Sequence, residues 1–325
     1  MCVPAPQASA AIKTFDPGAK CCTYLPTLWN FLVGRILEDR TPEAAAGRVS
    51  VERRIDAGDA VTLLGLAHTP VFTALYQHVS GSFGRTRALL CPHFLPESGG
   101  CGVWRHREST CATWFCKLER GKVSEHFWNS LHRLLASAEL AVARWCAIEL
   151  NPGAEALEVL FPARQRPAPL FSGPEDFDGR ANPEEHRRRW GRWAGREREF
   201  YIETARLAGP LSWEAIERIG GVEVSARAER VRAAFAQLMS GVVPDRLHAG
   251  LVHFEAFGEG TSLVRTYSDS DPLLLPDSLI GALRYFDGRP NAEVLEEIGA
   301  VTGLEISPGL VRRLADFGVL RTNLG

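Results

Sequence analysis

The chain has 325 residues, more than one core usually spans at about 100–200 residues per domain, so the length asks for two domains or for one with an appendage. Hydrophobic residues make up 45% and charged residues 23%, which excludes a chain disordered throughout. A formal charge of −2 supplies no global field toward nucleic acid or an anionic membrane, and the longest apolar run, Val61 to Ala67, falls far short of the roughly 18 residues that a bilayer span requires.

In chain order, residues 1–20 lack apolar periodicity and end in the turn signature Asp16-Pro17-Gly18, which predicts a flexible arm with order beginning near Cys21. The N-terminus has neither a basic n-region nor an apolar h-region of about 7–15 residues, so no secretory signal is read and the cytoplasm is the expected compartment. Asn30 to Leu37 is a short apolar segment, and Thr41 followed by Pro42 signals a helix start. Asp56 to Ala67 reads as a second helix, and Val71 to Tyr76, behind Pro70, as a third that ends near Ser80-Gly81. Residues 81–122 mix Gly, Cys, Arg and aromatics with no period, a loop region held by something other than a layered core, a role that a metal would serve.

Phe127, Leu131, Leu134, Ala138, Val142, Trp145 and Ile148 recur at three- and four-residue steps, predicting one amphipathic helix from Val123 to Leu150 with Ser124 as N-cap. Residues 161–183 carry five prolines and read as a linker. Long helices are expected from Pro183 to Leu207 and from Ser225 to Met239, before a separate small unit at the C-terminus. The fold class is therefore mainly α, divided into an arm (1–20), a cysteine-bearing domain (21–160), the linker (161–183), a helical segment (184–264) and a small terminal module (265–325).

Eight cysteines in a reducing compartment point to metal ligation, redox chemistry or simple packing rather than to structural disulfides. Six of them fall in two places, Cys21-Cys22 and then Cys91, Cys101, Cys111 and Cys116. Glycines beside Cys101 allow tight folding around a centre, nearby Arg and Lys favour thiolates, and four thiolates are what a tetrahedral zinc or a cubane cluster needs. No C-x-x-C pair occurs, which sets aside zinc ribbons, fingers and thioredoxin motifs. Adjacent Cys21 and Cys22 can hardly both ligate one zinc without strain, and His93 and His106 stand as substitute or outer donors. Cys146, inside the amphipathic helix, fits packing instead, and Cys2 fits the arm.

The cysteine doublet, then Cys91-Pro92-His93-Phe94-Leu95, then Cys101-Gly102-Val103-Trp104, then an arginine-bearing step into Cys111, resembles the order in YkgJ-type cysteine-cluster proteins, a zinc- or iron-chelating family, over about residues 20–117. That resemblance implies a metal held by Cys91, Cys101, Cys111 and one of Cys21 or Cys22, with Cys116 as an added ligand. The family's Cys-x-x-Cys-Gly lead-in is missing here, and Trp104 stands where it carries tyrosine.

His186 to Arg198 interleaves arginines with Trp190 and Trp193, the ingredients of a nucleic-acid strip, yet Glu184 and Glu185 lie four residues before Arg188 and Arg189 and make a solvated helix face the stronger reading. From Leu273 to Leu320, three short helices closed by a strand resemble PqqD-like winged-helix modules, which implies a peptide or protein partner. Five arginines against seven acids from Pro276 onward speak against DNA. P-loop, Rossmann, nucleophile-elbow and zincin motifs are absent. The expectation is a metal-binding protein carrying an iron–sulfur cluster, preferred, or zinc, in a redox or peptide- or protein-modifying role. A non-catalytic scaffold with structural zinc is the alternative, and a metal-free Cys111–Cys116 thiol sensor the third reading.

Overall fold

The computed structural model describes residues 15–78, 83–162 and 182–322. Residues 1–14 of the arm with Cys2, the expected helix end at Ser80-Gly81 and most of the linker lie outside the described residues. The chain is mainly helical with small antiparallel sheets. Order begins before Cys21: Asp16 Oδ1 accepts the Gly18 amide at 2.7 Å, and the ring of Phe15 meets Phe83 edge-on.

Strand β1 (Leu28–Trp29) leads into helix α1 (Asn30–Glu38), whose apolar run is buried almost throughout. Its first residue is polar and fully buried, and that is tolerated because the Asn30 amide donates to Leu63 O and Ala143 O, at 2.9 Å each, while its oxygen takes the Phe31 amide. A short 3₁₀ turn at Pro42–Ala44 opens α2 (Ala45–Ala57); Thr41 makes no side-chain cap and instead donates its hydroxyl to Asp39 Oδ1 at 2.6 Å.

The helix expected from Asp56 to Ala67 is absent. Gly58 adopts the left-handed conformation that ends α2, and the next residues form the hairpin β2 (Val61–Thr62) and β3 (Gly65–Leu66), in sheet order β1–β3–β2. Gly65 has φ +132, and a Cβ there would sit 2.0 Å from Leu28 O, so the close approach of β1 and β3 requires glycine. Helix α3 (Pro70–His78) follows.

After the cysteine loop, which contains β4 (Phe94–Leu95), β5 (Gly100–Cys101) and α4 (Ser109–Thr113), α5 runs from Gly121 to Glu149. Ser124 lies inside the first turn rather than at the cap, its hydroxyl accepting the Arg120 amide at 3.3 Å. Beyond α6 (Ala154–Leu160), the single helix expected from Pro183 to Leu207 is two, α7 (Pro183–Trp190) and α8 (Glu197–Ala208), parted by Gly191 and Gly195 at positive φ. The break turns Trp190 inward against Phe200 and Tyr201, with ring planes crossed at 87° and 84°, in a core shared with Ile36, Val51 and Leu66. Helix α9 (Trp213–Met239), kinked at Gly221, packs along α5 through Leu134, Ala138, Val224 and Ala228.

The C-terminal unit is built on strands β6 (Arg246–Ala249), β7 (His253–Gly258), β8 (Thr261–Arg265) and β9 (Leu273–Pro276), then α10 (Asp277–Ala282), β10 (Asp287–Pro290), α11 (Asn291–Thr302), α12 (Pro308–Asp316) and β11 (Leu320–Arg321). The sheet order β10–β6–β11 and a core holding Leu247 and Val264 carry this unit upstream of residue 265, so the segment from 184 to 264 is not wholly helical. Arg120 anchors the unit to α5 through paired bonds to Asp316 Oδ1 and Oδ2 at 2.7 and 2.8 Å, and the Gly121 backbone lies against the Phe317 ring where a Cβ would stand 2.6 Å away.

Candidate cysteine centre

Three stretches of backbone bring the thiols toward one another. Cys22 O accepts the Cys91 amide at 2.7 Å, which ties the doublet to the start of the loop. Phe94 pairs with Cys101 across β4 and β5, so ten residues after Cys91 the chain returns to its side. Glu108 then caps α4, its oxygens accepting the amides of Thr110 at 2.7 Å and Cys111 at 2.8 Å. Gly102 has a second task beyond tight folding: its carbonyl lies 2.0 Å from where a Cβ of Gly47 would be, so a glycine on α2 lets that helix press against the loop.

The face of α2 pressed on the loop carries Gly47, Ser50 and Arg54, spaced by three and four residues as a helix face demands. Ser50 donates to Gly47 O at 2.7 Å and bonds His93 Nδ1 at 2.7 Å, which makes His93 Nδ1 the protonated nitrogen and leaves Nε2 as a lone pair. His93 is 1% exposed, and its Nε2 has no hydrogen-bond partner; burial holds its pKa down at about 3, so the ring is neutral. His106 is turned away, its Nε2 2.8 Å from Asp39 Oδ2 at the end of α1. Hydrogen bonds from Thr41 and His106 hold Asp39 well below the usual carboxylate range.

Cys21 and Cys22 share a hydrogen bond between their side chains. Accepting it, with help from its own backbone amide and the Lys20 charge, lowers Cys21 to about 6 against the burial that opposes it. Donating it raises Cys22, an effect that burial and the charges of Cys21, Cys91 and Cys101 increase. Burial pushes Cys91 up to about 12, with the His93 amide and the Arg54 guanidinium pulling the other way. Burial likewise raises Cys101 against the Val103 amide and Arg107. Cys111 is the one exposed residue of the five, yet desolvation on its inner side and the neighbouring Glu108, Cys91 and Cys101 charges raise its thiol. These five cysteines lie within electrostatic reach of one another. Cys116, half-buried beyond the exposed rings of Trp114 and Phe115, does not figure among the strongest charges acting on them.

Among the described residues no three His, Cys, Asp or Glu side chains are already gathered closely enough to hold a metal ion. In kind and number the donors suit a thiolate centre, and the basic groups beside them suit its charge, but the sulfurs would have to close on an ion. The residues that the sequence did not point to are Arg54, Glu108 and Glu139. Glu139, on α5, takes Trp29 Nε1 at 3.1 Å and the Ser109 amide at 3.2 Å, and burial raises its carboxyl to about 7. Nothing in a single sequence marks these three, because each sits on a helix or cap where arginine and glutamate are ordinary.

Cys146 is packing: fully buried, its thiol faces Thr204 O at 3.6 Å within the cluster of Phe31, Val142 and Ala208. The arginine strip lines a cavity of about 630 Å³ against α2, where Arg189, Arg196 and Arg198 are paired with Glu185, Glu199 and Asp56. Guanidiniums so neutralised offer little to a phosphate backbone. No helix among the described residues is long and apolar enough to cross a membrane. The chain matches no family model, no curated protein and no solved structure.

Proposed function

We propose that this chain is a metal-binding protein in which Cys91, Cys101, Cys111 and one of Cys21 or Cys22, with Cys116 as an added ligand, hold an iron–sulfur cluster, or else zinc. The observation that carries the reading is the convergence of three backbone segments that bear five thiols, with the Cys22 carbonyl taking the Cys91 amide, Phe94 paired with Cys101 and Glu108 capping the helix of Cys111, in a region with few buried apolar residues of its own. Of the doublet, Cys21 is the better ligand, since its thiol is the one already biased toward thiolate. A bound iron–sulfur cluster would supply one-electron chemistry, and this supports a redox or peptide- or protein-modifying role. The C-terminal unit, with its helix–strand–helix–helix–strand order from α10 to β11, is read as a winged-helix-like module that takes a peptide or protein partner, and the resemblance to YkgJ-type proteins supports the metal assignment.

A structural zinc in a non-catalytic scaffold is the second reading, favoured by the two-residue strands of the loop, which bury little apolar area and to which a metal would add a further tie. Anaerobic purification with metal and acid-labile sulfide analysis of wild type and Cys101→Ser separates them. A brown protein containing iron and sulfide, bleached by the substitution, supports the cluster; one colourless zinc per chain supports the scaffold; no metal refutes both.

A further inference from the structure

We propose that strand β7, the exposed edge of the C-terminal unit's β7–β8–β9 sheet, is the interface of a two-fold dimer in which two copies of this chain pair β7 with β7, antiparallel and centred on Phe254. The inference is independent of what the thiols hold.

β7 (His253–Gly258) ends its sheet, so among the described residues one side of its backbone has no neighbouring strand to pair with. All six of its residues are exposed. Phe254 stands directly opposite Val264, and Val264 opposite Leu273. Directly opposite residues of antiparallel strands share a face, so these three form one row on the side that carries the core of the unit. Val264 and Leu273 are buried while Phe254 is 56% exposed, so the apolar row reaches the edge and stops there uncovered. A second copy laid alongside continues it, with Phe254 against the partner's Phe254. Sheet edges are commonly guarded by lysine, proline or a charge turned to the core side, and β7 has none of these. Its one irregularity of register lies beyond Ala256, toward the turn at Glu259 and Gly260.

Charge selects the register. Two-fold antiparallel pairing sets one residue against its own copy at the axis and the residues on either side of it against each other. Centred on Glu255 it opposes two carboxylates, and centred on Ala256 it sets Glu255 against the apolar Phe257. Centred on Phe254 it places His253 opposite the partner's Glu255, twice by symmetry, and brings the two phenyl rings together at the axis. Glu255 keeps its own Arg265, whose Nη1 lies 3.1 Å from Oε2, so each carboxylate sits between a guanidinium of its own chain and an imidazole of the other. Ala256 then meets the partner's Val252, and neither is bulky or charged. An unrelated extended peptide would use the same backbone edge, but the self-complementary order His253-Phe254-Glu255 selects a second copy.

The test is sedimentation of the full chain under reductant, which excludes intermolecular disulfides, from about 1 to 100 µM, because a pairing this small belongs at the weak end of specific interfaces. Wild type is expected to pass from monomer to dimer across that range, with amides of β7 gaining hydrogen-exchange protection as it does. Phe254→Lys sets like charges together at the axis and should stay monomeric, with its thermal midpoint unchanged because Phe254 is exposed. His253→Glu opposes carboxylates at two places and should weaken association at least about tenfold, and the double exchange His253→Glu with Glu255→His should restore it to within about threefold. If Phe254→Lys does not fold, the single and double exchanges at 253 and 255 decide. A wild type still monomeric at about 100 µM overturns the inference and leaves the edge to an extended segment of another protein. A dimer indifferent to Phe254→Lys and His253→Glu overturns it by placing the contact elsewhere, and a double exchange that recovers nothing overturns the register centred on Phe254.

Discussion

The cysteine loop and the C-terminal unit are opposite in construction. The C-terminal unit closes on itself: Leu314, Ile298, Val294 and Val319 are fully buried, and the core shared by its two sheets and three helices is made of aliphatic side chains with Phe286 and Phe317. Between Cys91 and Cys111, by contrast, the buried side chains are the Cys91 thiol, the neutral His93 imidazole, Ser109 and the Glu108 carboxyl, with Phe94 and Val103 the apolar residues among them. One region is held by area removed from water. The other is held by hydrogen bonds and charge balance that a single substitution or a change of pH can upset.

The largest expected difference comes from Leu314→Ala. Removing a fully buried leucine in a closed aliphatic core should cost about 3 kcal/mol. The hydrogen-exchange protection of α11 and α12 should fall together while the thiols of the loop keep their reactivity, because contacts between the two regions run through Arg120, Leu118 and Phe317 rather than through Leu314. Equal loss of protection in the loop would mean that the two regions are one cooperative unit.

Arg120→Ala sharpens the boundary from the other side. Arg120 and Asp316 are 18% and 12% exposed, and the guanidinium also serves the Leu238 and Ser240 carbonyls, so its removal leaves a shielded carboxylate and several carbonyls unanswered. A destabilisation of about 2–3 kcal/mol is expected, read as a lower urea midpoint and as earlier release of the C-terminal unit in limited proteolysis. Arg120→Lys should recover little, since the two parallel bonds to Asp316 need the fork.

The same contrast explains how much the sequence disclosed. The long period of α5 is legible because Leu134, Ala138 and Val142 face a core, and the three helices of the C-terminal unit announce themselves through Pro308, Gly303 and Gly318. The hairpin at Val61–Leu66 was hidden in a run whose apolar residues satisfy either period, and Gly58 and Gly65 were the signs that a helix could not continue. At the candidate site the cysteines themselves are visible in the text. Their surroundings are not: Arg54 is three turns into a helix of ordinary composition, and Glu139 reaches the loop from α5, 28 residues beyond Cys111, only because α4 and α5 pack together.

Glu139 gives the next prediction. Its folded pKa is raised to about 7 from an unfolded value near 4.5, so the folded chain holds a proton that the unfolded chain has released across that window. The contribution of Glu139 to stability should therefore be largest below about pH 4.5, fall as pH rises toward 7, and level off above it, by on the order of 1–2 kcal/mol once the partial exposure of the side chain is allowed for. Glu139→Gln keeps an oxygen for Trp29 Nε1 and the Ser109 amide and should remove this slope. A slope unchanged in the variant would assign it to other groups.

The smallest effect on stability, and the sharpest on chemistry, belongs to the doublet. Cys21 is lowered to about 6 chiefly because Cys22 donates to it, so in the metal-free chain Cys21 should react with iodoacetamide along a titration centred near pH 6, well before an ordinary thiol. The depressed folded pKa of Cys21 contributes stability that is complete above the unfolded thiol's value and is lost as pH falls through about 6, while the raised Cys22 offsets part of it. Cys22→Ser retains a donor and should keep the midpoint low, whereas Cys22→Ala should return it toward the ordinary thiol range. Mass-resolved alkylation rates measured from pH 5 to 9 (about the span between the two limits) distinguish these outcomes. A midpoint in Cys22→Ala equal to that of wild type would mean that Lys20, held by Gly99 O at 2.7 Å, rather than the partner thiol, sets the charge of Cys21.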